Sequence, residues 1–176
     1  MPRRRRDPVA AATRLLEDAG IRKAPVPVEL IARRLGAVIR RAPLDDELSG
    51  MLAINGDLTI IGVNSLHHPN RQRFTIAHEC GHLALHRDEV SANVHVDRQF
   101  HVMMRDQKSS LGTDVLEIEA NRFAAELLMP RFLVEPAIRA QALDVDDERS
   151  MANLAAAFRV SKSAMMYRVS SLLAPL

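Results

Sequence analysis

Residues 73–86 read Arg-Phe-Thr-Ile-Ala-His-Glu-Cys-Gly-His-Leu-Ala-Leu-His, and this stretch decides the fold. His78 and His82 are four residues apart, so on a helix they share one face and both imidazoles can reach a single ion. Glu79 is adjacent and can reach a water molecule beside that ion. The stretch therefore predicts a helix that carries two metal ligands, His78 and His82, and a general base, Glu79.

A third ligand has to come from another segment, because a catalytic zinc ion takes three protein ligands and keeps one position open for water. Glu117 and Asn121 are also four residues apart, so they share a helical face. Glu117 can bind the metal, while Asn121 can hydrogen-bond one of the liganding histidines from behind. Three small residues would let this helix approach the first one closely: Ala120, Ala124 and Ala125.

Two alternatives remain open for this second segment. Glu119 is a rival ligand, but it lies on the opposite side of the helix from Glu117, so only one of them can face the metal. Asp114 and Glu117 also fit a capping-box pattern, in which Glu117 would serve only the start of the helix. The pairing with Asn121 favours Glu117 as the ligand.

Two motifs, residues 73–86 and residues 117–130 (Glu-Ile-Glu-Ala-Asn-Arg-Phe-Ala-Ala-Glu-Leu-Leu-Met-Pro), resemble the ImmA/IrrE family of metallopeptidases. The linking residues 105–110 are also similar to that family, and the resemblance covers residues 8–135. It implies an α+β, zincin-like fold with an active-site helix, a small twisted sheet and a second ligand-bearing helix. In the family, the first glutamate of the Glu-x-x-Ala-Asn motif is the third zinc ligand, which again points to Glu117.

The resemblance implies a zinc-dependent endopeptidase that cleaves a helix-turn-helix transcriptional repressor and so relieves repression in a stress or mobile-element response. Glu79 would accept a proton as water attacks the peptide carbonyl. His101 and Arg105 are candidates for an additional oxyanion donor. Two other hypotheses remain: a non-catalytic, toxin-like partner of a repressor or antitoxin, and a DNA-binding regulator whose zincin part is a sensor.

Composition excludes several other classes of protein. The 176 residues contain one cysteine, which rules out an internal disulfide and favours a reducing, cytoplasmic location. No apolar stretch approaches the roughly 20 residues that a membrane span needs. Residues 1–41 hold 11 basic and 4 acidic side chains, while the remainder holds 13 and 18. A solvated basic face is the simpler interpretation of that asymmetry, and contact with nucleic acid or an acidic partner is the alternative.

The resemblance implies a zincin-like metallopeptidase domain over residues 1–145. Within it, the pattern along the chain predicts helices over residues 8–20, 28–35, 69–87, 114–129 and 131–140. A small, mostly antiparallel sheet is expected over residues 37–64, since Asn55-Gly56 between two apolar runs is a strong hairpin signal. A further strand is predicted within residues 94–104, where apolar residues alternate loosely.

Residues 146–176 are predicted to form a separate helical appendage. Two helices, over 148–158 and 162–173, resemble a helix-turn-helix, with Ser161 as the N-cap of the second. Direct DNA contact would use the few polar side chains of that helix: Lys162, Ser163, Arg168 and Ser170. So short a set favours an appendage that packs against the peptidase domain or docks a partner, and DNA binding is the alternative.

Overall fold

The fold is that of a computed structural model, which describes residues 7–90, 95–98, 111–140 and 148–174. The described residues form eight helices: α1 (Pro8–Asp18), α2 (Val28–Arg34), α3 (Pro69–Leu85), α4 (Arg87–Val90), α5 (Leu111–Leu128), α6 (Arg131–Ala140), α7 (Glu148–Phe158) and α8 (Lys162–Leu173). They also form four strands: β1 (Ala37–Ala42), β2 (Leu48–Asn55), β3 (Leu58–Asn64) and β4 (His95–Arg98). The predicted α+β fold class is confirmed.

The four strands form one sheet in the order β1-β3-β2-β4. Strands β2 and β3 are antiparallel and join through the predicted turn, in which Gly56 has φ +58. Glycine suits this position because side chains disfavour positive φ. Strand β4 pairs antiparallel with β2, whereas β1 pairs parallel with β3. The sheet is thus mostly antiparallel, as predicted, and β1 is the exception because it lies beside β3 rather than beside its neighbour in sequence.

One face of the sheet packs against the helices. Inward-facing residues of the central strands, such as Leu52, Ile61 and Val63, are buried, while Val38 and Leu58 remain exposed. Helix α3 contacts β2 and β3 on one side and α5 on the other, and α1 packs on α5. The helix of residues 73–86 therefore lies at the centre of the molecule, between the sheet and the second predicted ligand-bearing helix.

Helix α5 starts at Leu111, three residues before the predicted start at Asp114. The helix continues through Gly112, because one glycine costs a helix only about 1 kcal/mol relative to alanine. Glu117 therefore lies in the second turn of the helix rather than at its third position. The capping-box interpretation of Asp114 and Glu117 is wrong.

The C-terminal helices pack against the rest of the chain. Ser161 caps α8 as predicted, since its Oγ accepts a hydrogen bond from the Ala164 amide at 3.1 Å. The Val160 carbonyl accepts a hydrogen bond from Nδ2 of Asn70, at the start of α3, at 3.0 Å. The predicted domain boundary at residues 145–146 lies outside the described residues. Over the part of the chain that the structure describes, no helix is both long and apolar enough to cross a membrane.

Candidate metal centre

Helix α3 brings the two predicted histidine ligands together. His78 and His82 are both fully buried. Their rings meet edge to face with centroids 4.6 Å apart, and their Nε2 atoms are 2.9 Å apart. The four-residue spacing on one helix face produces this convergence, as the sequence predicts.

Glu117 of α5 completes a group of three. Its Oε2 lies 3.2 Å from Nε2 of His78, and its Oε1 lies 3.3 Å from Nε2 of His82. One donor atom from each of the three residues lies within 4.8 Å of the others. The Glu117 side chain is 33% exposed, so solvent reaches the group from the side of α5.

The close approach of α5 to α3 depends on small residues at the crossing. A Cβ on Gly81 would lie 3.0 Å from Cα and 3.1 Å from the carbonyl oxygen of Ala120, and 3.2 Å from Cδ1 of Phe123. These are tight contacts with backbone atoms. Ala120 and Ala124, both buried, were predicted to allow this close approach, whereas the role of Gly81 was not predicted. A glycine inside a helix was the available signal, because that position usually has a packing reason.

Asn121 lies behind His78. Its Oδ1 is 3.0 Å from Nδ1 of His78, which places the ring proton on Nδ1 as the donor. The lone pair of Nε2 is then directed toward His82 and Glu117. Histidines that bind metals are commonly oriented by such a partner on the other ring nitrogen.

Glu119 occupies a different place from Glu117. Its Oε2 lies 3.5 Å from Nε2 of His86, a buried residue at the C-terminal end of α3. The rings of His82 and His86 are 5.7 Å apart between centroids. The structure thus brings Glu117, rather than its rival, to the two histidines, while His86 and Glu119 meet one turn further along α3.

Glu79 is fully buried and lies on the sheet side of α3. A Cβ on Gly50 of β2 would lie 3.7 Å from Oε1 of Glu79 and 2.3 Å from Cγ2 of Thr75. Neither Gly50 nor Thr75 was predicted to be a neighbour of the base. Glycine inside a strand pattern is a signal of close backbone approach, but it does not name what approaches.

Cys80 is buried in the core. Burial raises the pKa of its thiol, and the negative charges of Glu79 and Glu29 raise that pKa further. A thiol that stays protonated is a poor ligand, since metals bind the thiolate. The other candidates for the site, His101 and Arg105, lie outside the described residues.

The donor set fits a zinc ion. Two imidazole nitrogens and a carboxylate are a common set of protein ligands for catalytic zinc, and donors about 2.0–2.2 Å from a tetrahedral ion lie about 3.3–3.6 Å from each other. The observed separations of 2.9 to 3.3 Å are slightly shorter, so a small outward movement of the donors would accommodate the ion. One exposed edge remains beside Glu117, so water and a substrate can approach.

Comparisons with known proteins show the family to which the chain belongs. A solved structure of a "Mycobacterium tuberculosis transcriptional regulator" is similar at a TM-score of 0.64 with 25% sequence identity, over 96% of this chain and 48% of that one. The chain therefore spans about half the length of that regulator. No curated protein matches the sequence. The Peptidase_M78 family, described as the IrrE N-terminal-like domain, matches residues 32–170. The chain belongs to this peptidase family, as its two motifs predict.

Proposed function

We propose that the protein is a zinc-dependent endopeptidase whose metal is held by His78, His82 and Glu117. The observation that carries this proposal is the convergence of these three side chains, from two helices, within 4.8 Å of one another. Glu79 follows directly after the first ligand on the same helix. Membership of a peptidase family makes a protein or peptide the expected substrate class.

In the proposed reaction, a bound Zn²⁺ would polarise the scissile carbonyl and lower the pKa of its bound water toward neutrality. Glu79 accepts a proton from the attacking water and then delivers it to the leaving amine. Asn121 accepts a hydrogen bond from Nδ1 of His78 and holds that ring in its orientation. The buried surroundings of Glu79 exclude bulk water, which strengthens the interactions of its carboxylate.

The substrate we propose is a helix-turn-helix transcriptional repressor. The family resemblance of residues 73–86 and 117–130 motivates this choice, and the similar solved structure is named a transcriptional regulator. Cleavage of such a repressor would relieve repression. If the protein does not cleave such a repressor, the peptidase assignment still stands.

The test uses Glu79→Gln, which should keep one zinc ion per chain while kcat falls by about 10²–10⁴ from the loss of the general base. Proteins that co-purify with this variant are candidate substrates, to be incubated with the unmodified protein with and without a chelator. Glu17→Gln, the same change at an exposed position of α1, is the matched control and should cleave normally. Undiminished cleavage by the Glu79→Gln protein would refute the assignment.

A non-catalytic partner of a repressor is the second candidate. Helix α8 carries exposed apolar side chains, Met166, Tyr167 and Leu173, at 42%, 64% and 54% exposure, which suit a docking surface. A stable complex that the unmodified, zinc-loaded protein never cleaves would favour this candidate. Direct DNA reading has less support, since Lys162 pairs with Glu148 at 3.1 Å and Arg168 pairs with Glu126.

A further inference from the structure

Strand β2 approaches α3 closely at Gly50. A Cβ at this position would lie 2.3 Å from Cγ2 of Thr75 and 2.8 Å from the carbonyl oxygen of Gly62. Real Cβ atoms do not approach other atoms so closely, so only glycine fits without displacement of the helix or the neighbouring strand. The carboxylate of Glu79 lies next along the same contact, 3.7 Å from that Cβ position.

A register shift in the sheet creates this contact. Leu48 pairs with Arg98 and Gly50 pairs with Asp97, so Ser49 is an extra residue opposite β4, as in a β-bulge. Consecutive residues of a regular strand point to opposite faces, whereas a bulge re-aims a side chain. Both Ser49 and Gly50 thereby face α3.

Helix α3 meets this bulge with residues spaced four apart, which lie on one helical face. Nη2 of Arg71 donates a hydrogen bond to Oγ of the buried Ser49 at 2.9 Å. Thr75, one turn later, packs on Gly50, and Glu79 follows after one more turn. Arg71 therefore holds Ser49, and Thr75 packs on Gly50. Glu79, the proposed base, lies one turn after Thr75 on the same helix face.

We propose that Gly50 and Thr75 are positioning residues that set the place of the Glu79 carboxylate. This inference rests on the proposed function, in which Glu79 moves the proton. The buried carboxylate has strand backbone on one side, so the bulge determines how far it lies from the paired histidines. A displacement of a catalytic group by about 1 Å can lower the rate by about 10²-fold, so the position of the Glu79 carboxylate matters for the proposed reaction.

The first experiment compares Gly50→Ala with Gly62→Ala. The Cβ added at Gly62 would meet chiefly the side chain of Met51, at 2.6 and 3.1 Å, and a flexible side chain can move aside. We expect Gly50→Ala to bind zinc with the normal stoichiometry but to lose about 10- to 100-fold in kcat, with KM within about twofold. Gly62→Ala should keep kcat. Normal kcat in the Gly50→Ala protein would overturn the inference.

A second pair of variants decides the matter if Gly50→Ala does not fold. Thr75→Val keeps the methyl group that contacts Gly50, whereas Thr75→Ser removes it. We expect Thr75→Val to retain kcat and Thr75→Ser to lower kcat severalfold with KM unchanged. The opposite order would mean that the hydroxyl group, rather than the packing against the bulge, matters, and the inference would be wrong. Where Gly50→Ala does fold, adding Thr75→Ser should restore part of its lost kcat, because the closest clash is removed.

A spectroscopic measurement separates this inference from the proposed function. Visible absorption of the Co²⁺-loaded protein reports the surroundings of the metal whether or not the protein turns over. We expect Gly50→Ala and Glu79→Gln each to shift the cobalt bands, and Gly62→Ala to leave them unchanged. If the unmodified protein cleaves nothing, the proposed function fails, yet these shifts would still support the placement of Glu79 by Gly50. Identical spectra for the unmodified and Gly50→Ala proteins would overturn the placement.

Discussion

At the scale of single residues, Asn121 determines the protonation pattern of His78. Its amide oxygen lies 3.0 Å from Nδ1, so this nitrogen carries the proton and Nε2 keeps a lone pair. The affinity of the proposed metal site would then depend on a residue outside the group of three donors. Such supporting partners commonly contribute 10- to 100-fold to metal affinity.

Replacement of Asn121 should therefore weaken zinc binding. We expect Asn121→Ala to raise the zinc dissociation constant by about 10- to 100-fold, measured by competition with a chromogenic chelator. Asn121→Asp keeps an oxygen acceptor and should bind more tightly than Asn121→Ala. Equal affinity of Asn121→Ala and the unmodified protein would show that the hydrogen bond to His78 is dispensable.

Cys80 gives a prediction for alkaline pH. Its folded pKa is raised by burial, while the thiol of the unfolded chain ionises near the usual value of about 8.5. Above that pH the unfolded chain releases a proton that the folded chain keeps, so stability falls as pH rises. Urea titrations from pH 7 to 10 should show a smaller fall for Cys80→Ala. In the native protein the thiol should resist alkylation, and rapid labelling at pH 8 would contradict the burial.

At the scale of secondary structure, the crossing of α3 and α5 assembles the metal centre. The histidines come from one helix and the carboxylate from the other, so the separation of the two helix axes determines whether the donors converge. Gly81 and Ala120 set that separation through backbone contact. The crossing is thus as necessary to the site as the ligands themselves.

Gly81→Ala tests the crossing. Alanine is a better helix former than glycine by about 1 kcal/mol, so helix propensity alone would stabilise the variant. We expect the opposite, a loss of about 1–3 kcal/mol through overpacking against Ala120, together with weaker zinc binding. Urea denaturation of the zinc-free protein and chelator competition measure the two effects. A stabilised variant with normal zinc affinity would show that the helices tolerate a wider crossing.

Local patterns in the sequence predict most of the elements and the group of donors. The helices of residues 131–140, 148–158 and 162–173 have the predicted bounds, and His78, His82 and Glu117 converge as the two motifs indicate. The contact of Gly50 with Thr75 was not predictable in the same way. It arises from a register shift between β2 and β4 and from the rotation of α3 over the sheet, and no local spacing encodes either.

The parallel placement of β1 was missed for a related reason. Short-range patterns identify a hairpin, because its turn residues are adjacent to the strands that they join. They do not say which edge of that hairpin a third strand joins. The predicted start of α5 at Asp114 was wrong because the helix extends through Gly112 to Leu111.

At the scale of the whole molecule, the C-terminal helices are tied to the helix that bears Glu117. Arg168 of α8 forms an ion pair with the buried Glu126 of α5, and its Nε donates to the Met129 carbonyl at 3.0 Å. The carboxylate of Glu126 also accepts a hydrogen bond from the Arg131 amide at 3.0 Å. A side chain that the sequence offered as a possible DNA reader is thus used within the chain.

Loss of the ion pair between Arg168 and Glu126 should destabilise the protein. We expect Arg168→Ala to destabilise the protein by about 3–5 kcal/mol, because it leaves the buried Glu126 charge without its cation. Lys162→Ala breaks the more exposed pair with Glu148 and should cost about 0–1 kcal/mol. Urea denaturation compares the two variants. Equal, small losses would mean that α8 is only loosely attached to α5.

The contact at Gly81 also helps to distinguish metal-binding helices from sequences that match the ligand spacing by chance. The two positions between Glu79 and His82 are conventionally written as arbitrary. Here Cys80 is buried in the hydrophobic core, and a side chain at Gly81 would press against the backbone of Ala120. A pattern search that accepts any amino acid there would admit helices too bulky to let a distant carboxylate draw near. Requiring a minimal side chain beside the second histidine should therefore discard false matches that ligand spacing alone retains.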